Sequence, residues 1–120
     1  MENYTINTVE KLNEKEKVFL KDALKLTSCE ISINRVPKGF KSPFNHKHKQ
    51  NEEIYIILKG SGIITVDNKK INIKEKSTVK IVPKASRMIE NTGNSELTFI
   101  CIQAKENSLI QSGLKDAELC

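Results

Sequence analysis

The sequence predicts an all-β domain, a sandwich or closed barrel of seven or eight short strands with one short helix. Three observations carry this. Short runs rich in Ile and Val recur along the chain, from EISINRV to LTFICIQA. Clusters of Gly, Asn, Asp and Pro separate them. One stretch alone, KVFLKDALKLT, spaces its apolar residues at helical intervals. A chain of 120 residues has the length of one domain with one modest core. With Trp absent and two tyrosines, that core must rest on Ile, Val and Leu.

The elements follow in order. Residues 1–17 are polar and show no clean period. Val18, Phe19, Ala23, Leu24 and Leu26 then predict a short helix packed on the core, ending near Thr27 and Ser28. CEISINRVP alternates, with Cys29, Ile31 and Ile33 on one face and Glu30, Ser32 and Asn34 on the other. FKSPFNHKHK makes a second extended run and EEIYIILKG a third. Gly60 and Gly62 turn the chain into IITVD, and DNKK closes a hairpin onto INI. VKIVP ends at Pro83, and the Asn91–Asn94 turn feeds LTFICIQA. EIYIILKG and LTFICIQA are apolar on both faces, so the outer face needs a cover. The N-terminal segment or a second subunit is the natural cover, and a homodimer through that face is expected.

Charge excludes more than it suggests. The net charge is +5, yet of 20 basic residues only Arg35 and Arg87 are arginine, and the lysines are spread among glutamates. Phosphate and base recognition leans on Arg and on aromatic stacking, so no nucleic-acid partner is expected. Cys29, Cys101 and Cys120 have no motif spacing, and the first 30 residues are too polar for a signal peptide. A cytoplasmic protein with no membrane partner is expected.

The chemistry concentrates in HKHKQNEE, which holds both histidines of the chain. On an extended segment, His46 and His48 share a face about 6 to 7 Å apart, with Lys47 and Lys49 on the other. A turn at 49–51 returns Glu53 toward them, with Tyr55 and Ile57 on the same face. Two imidazoles and a carboxylate suit a divalent ion such as Fe, Mn, Zn, Ni or Co. Spacing alone leaves a solvated charged loop as the alternative.

The flanks resemble the first signature of the cupin superfamily: a glycine, H-x-H, four residues, Glu, six residues, Gly. His46, His48, Glu53 and Gly60 fall on it, with Gly39 one residue further out than usual. VKIVPKASRMIENTG resembles the second signature through Pro83 and Asn91, with Ala85 where a glycine is usual. The resemblance covers about residues 29–104. It implies a jelly-roll barrel (a double-stranded β-helix) over that span, preceded by a helix-bearing segment 1–28 and followed by a peripheral tail 105–120. Similar small cupins carry mannose-6-phosphate-isomerase-like labels.

The second signature normally supplies a third histidine, and here none exists. Counting back from Asn91 puts Arg87 there; counting forward from Pro83 puts Met88. Arg87 cannot ligate, and Met88 offers a soft thioether. The metal candidates are therefore His46, His48 and Glu53. Candidates for contact with a small polar or acidic ligand are Arg87 as anion anchor, Tyr55 and Phe44. Phe40, Phe99 and Cys101 are expected nearby, with Cys101 read as core. The residues fit an isomerase or oxygenase centred on the ion, or a non-catalytic binding module anchored by Arg87.

Overall fold

The computed structural model describes residues 3–10 and 17–120. Of the polar N-terminal stretch, residues 1–2 and 11–16 lie outside the described residues. In chain order the elements are β1 (Lys17–Phe19), α1 (Lys21–Leu24), β2 (Glu30–Val36), β3 (Asn51–Lys59), β4 (Ser61–Val66), β5 (Lys69–Lys74), β6 (Thr78–Ile81), β7 (Arg87–Glu90) and β8 (Leu97–Lys105), then a 3-10 turn at Gly113–Lys115. All strand pairs are antiparallel. They form a five-stranded sheet of order β1-β2-β8-β3-β6 and a three-stranded sheet of order β5-β4-β7. No helix among the described residues is long and apolar enough to cross a membrane.

Two expectations are corrected here. The strands do not close into a jelly-roll barrel: hydrogen-bonded pairing stops at β1 and β6 on one sheet and at β5 and β7 on the other. The segment that would carry pairing onward, residues 40–48, meets β7 through isolated bridges at Lys41–Glu90 and His46–Arg87. Pro43 lies between those bridges and has no N–H to give to a ladder. Nor is there a substantial N-terminal helix among the described residues. Lys17–Phe19 pairs as a strand with β2, and α1 is a single turn with no buried residue. Lys25 takes a left-handed φ of 57° and ends it. Four residues are far too few for a helix to stand on its own hydrogen bonds.

The β4–β5 hairpin turns on Asp67 and Asn68, whose positive φ values of 47° and 69° match the right-handed strand twist. Gly60 joins β3 to β4 at φ +90°, and a Cβ there would lie 2.5 Å from the Glu96 carbonyl oxygen. The apolar core lies between the two sheets, where Ile57, Ile64, Ile73, Ile81, Ile89 and Leu97 meet. Fully burying a side chain of this kind contributes roughly 1.5–3 kcal/mol.

Register assigns every inward residue of the larger sheet. Glu53, Tyr55 and Ile57 of β3 alternate inward, as do Leu97, Phe99 and Cys101 of β8. On β2 the alternation holds, and its polar face is the inner one. Ser32, Asn34 and Val36 are buried inside, while Ile31 and Ile33 lie half-buried on the outer face. There they join Val18, Ile54, Ile56, Ile100 and Ile102 in two apolar rows across the sheet.

Candidate metal centre

His46 and His48 come from the irregular segment at the open end of the two sheets, held by the backbone of β7 and of the turn before it. His46 and Arg87 exchange two backbone hydrogen bonds of 3.2 and 2.9 Å, and the His48 N–H donates to the Pro83 carbonyl at 2.8 Å. The extended backbone between them keeps both rings on one side, 5.3 Å apart between centroids and edge-on at 85°. Glu53 reaches the same point from β3. One ligand atom from each of the three side chains lies within 4.8 Å of the others. His48 Nε2 and Glu53 Oε2 are 3.1 Å apart, about the spacing of two adjacent ligands each about 2.1 Å from one ion.

The carboxylate of Glu53 divides its oxygens. Oε1 accepts from the Tyr55 hydroxyl at 2.6 Å and from Arg87 at 3.2 Å, so Oε2 is left toward the histidines. Burial of Glu53 (2% exposed) is the largest single influence on its pKa and raises it. The Tyr55 hydrogen bond, the charges of Arg87 and His48 and a hydrogen bond from the Cys101 thiol outweigh burial and hold the carboxyl below its ordinary value. Partial desolvation lowers His46, with Glu53 opposing and the charges of His48, Arg87 and Lys17 adding to the fall. An ionised carboxylate and a neutral imidazole are the forms that ligate a cation. The donor set therefore fits a divalent metal of the Fe, Mn, Zn or Ni type.

Between the two positions open to it, the inward one belongs to Arg87. It is 0% exposed, opposite His46, while Met88 alternates to the other face and is half-buried. The guanidinium donates to the carbonyls of Val82 at 2.7 Å, Pro83 at 3.3 Å and Ala85 at 2.9 and 3.1 Å, besides Glu53. It is not among the residues lining the cavity beside the centre.

That cavity has a volume of about 210 Å³ and runs from His46 and Glu53 past Tyr55, Phe99 and Cys101 to Ser32 and Asn34. Phe40 lines it, whereas Phe44 is 67% exposed and does not. Tyr55 faces the cavity, tilted against Phe99 at 5.7 Å between centroids. Burial first, and the Glu53 charge next, push the Tyr55 hydroxyl and the Cys101 thiol well above their ordinary values, so both stay protonated. Sequence reasoning missed Ser32, Asn34, Gln103 and Lys17, which also line the cavity. The polar alternation on β2 is visible in the sequence, but alternation alone does not say which face is inside.

Comparison with known proteins agrees with this geometry. A family model described as a cupin domain matches residues 33–103. An uncharacterized protein of Methanocaldococcus jannaschii is 47% identical over 66 residues, 55% of this chain and 52% of the relative. The oxalate-binding protein of Thermotoga maritima is 39% identical over 57 residues, 48% of this chain and 47% of the relative. The chain thus spans about half the length of these curated relatives. Among solved structures, a cupin protein from Bacteroides fragilis is 41% identical with a TM-score of 0.93, covering 100% of this chain and 99% of the other. A Thermotoga maritima structure described as a predicted oxalate decarboxylase is 32% identical with a TM-score of 0.59, covering 62% and 64%. A family match over more than half of the chain, and a likeness along all of it, agree with the two-sheet fold and the H-x-H centre: this chain belongs to the cupin family.

Proposed function

We propose that this cupin binds a divalent metal on His46, His48 and Glu53 and uses it to hold a small carboxylate in the adjoining cavity. The carrying observation is the convergence of three ligand atoms within 4.8 Å at the edge of a 210 Å³ cavity. Charge supports an acidic ligand. Arg87 already neutralises Glu53, so an ion on two neutral imidazoles keeps its double charge and favours an anion. The likeness to an oxalate-binding protein supports the same class. Arg87 serves this reading by fixing Glu53, and Tyr55 does so from inside the cavity.

A second reading is turnover at the ion, by dioxygen activation or by isomerisation of the mannose-6-phosphate-isomerase type. What favours it is that three protein donors leave coordination positions open. Tyr55 and Cys101 are held protonated, so proton removal would fall to the ion's own ligands. The apolar rows on the outer face of the larger sheet support the homodimer expected from sequence, and a cytoplasmic location belongs to the same proposal.

Elemental analysis of tag-free protein tests the centre. Near-stoichiometric metal is expected in the wild type and loss of it in His48→Ala. No binding after reconstitution with Fe(II), Mn(II), Zn(II) or Ni(II) overturns the reading.

A further inference from the structure

The cavity has a second polar wall, away from the histidines, that the metal centre does not use. In register, Lys17 of β1 lies opposite Asn34 of β2, and Phe19 opposite Ser32. Asn34 and Ser32 are in turn opposite Phe99 and Cys101 of β8. All six line the cavity, so the inward face of β1 and β2 is a strip of Lys, Asn and Ser bordered by aromatic rings. Of these, Ser32 and Asn34 are buried and Lys17 and Phe19 are exposed at the cavity's edge.

Ser32 and Asn34 are 5% and 3% exposed. The Asn34 amide donates to the Ser32 hydroxyl oxygen at 3.0 Å, which leaves the hydroxyl hydrogen free to donate onward. Lys17 makes no ion pair with any described residue. Its ammonium sits 5.6 Å from the centroid of the Phe19 ring, and its charge is felt at both His46 and Cys101. The two cations near the cavity thus differ. Arg87 is consumed by Glu53 and three carbonyls, while Lys17 makes no ion pair among the described residues.

We propose that Lys17, Asn34 and Ser32 form a second anion subsite, which takes the far carboxylate of a short dicarboxylate whose near carboxylate is held at the metal centre. This rests on the reading above that the centre holds a divalent ion and a small carboxylate. Size sets the ligand's length: at about 30 Å³ for each water-sized group, the 210 Å³ cavity has room for about seven. A diacid of two to four carbons has about that many non-hydrogen atoms. An inward lysine on an edge strand can also serve simply to discourage edge pairing, and that role would leave ligand choice untouched.

Calorimetric titration of the zinc-loaded protein distinguishes these cases. The probes are malonate and butyrate, similar in size but carrying two charges and one. The wild type is expected to bind malonate about tenfold or more tightly than butyrate, the scale of one charge-assisted contact. Lys17→Met is expected to lose that preference while keeping butyrate affinity and zinc content. Lys17 is an exposed position on an edge strand, so its replacement leaves the core intact. Equal binding of the two acids by the wild type, or an undiminished preference in Lys17→Met, overturns the subsite and leaves the metal–carboxylate reading standing. If neither acid binds the zinc-loaded wild type, both fall.

Discussion

Tyr55 and Arg87 both act through the same oxygen of Glu53, but removing them has different consequences. Tyr55→Phe keeps the ring against Phe99 and frees Oε1 from its shortest hydrogen bond. Partners behind a ligand commonly set metal affinity within about 10–100-fold, so zinc binding is expected to weaken about tenfold in a chelator competition. Arg87→Met strands a buried carboxylate and removes a donor from three carbonyls. A loss of about 3–5 kcal/mol is expected in urea unfolding of the metal-free protein. The pH dependence has a definite sign. Glu53 in the folded protein titrates below its ordinary value of 4.5, so its ionised form adds stability above that value and loses it as pH falls through the depressed one. Followed from about pH 6 to about pH 3, the stability gap between metal-free wild type and Glu53→Gln is expected to close.

Among the elements, the sequence was legible where a single geometric rule decided the outcome. An extended backbone puts His46 and His48 on one side, and strand alternation puts Glu53, Tyr55 and Ile57 together. On β2 alternation tells which residues share a face and not which face is inside. Its isoleucines cover the outside of a sheet whose interior there is a cavity, so polarity pointed the wrong way. The stretch VFLKDAL fits a strand and a helix equally over so few residues, and pairing of Val18 with Ile33 decided it. Arg87 and Met88 were separated only by the backbone pair with His46, a long-range contact that spacing along the chain does not encode. Asn91 matched a signature without a visible reason. Its amide donates to the carbonyls of Val36 and Ser95 and accepts from Gly93, tying the β7–β8 turn to β2. At the β3–β4 junction, Gly60→Ala would set a Cβ against the Glu96 carbonyl at a left-handed φ. A loss of about 1–3 kcal/mol in urea unfolding is expected.

For the whole molecule, two features govern behaviour in solution. One is the outer face of the larger sheet, where Val18, Ile33, Ile100 and Ile56 form one row and Ile31, Ile102 and Ile54 the next. If this face joins two copies, Ile100→Lys is expected to convert dimer to monomer in analytical ultracentrifugation while retaining metal. Unchanged mass would remove the face as the interface. The other feature is the ion pair of Arg87 with Glu53, a permanent positive charge already lodged where a metal would otherwise be needed to balance the carboxylate. On that balance of charge, folding is expected not to depend on metal. Stripping with a chelator should remove only the mass-action term of binding and leave a cooperative unfolding transition in place. An ion bound at this centre would then enter after the chain has folded, chosen from whatever pool the finished protein meets.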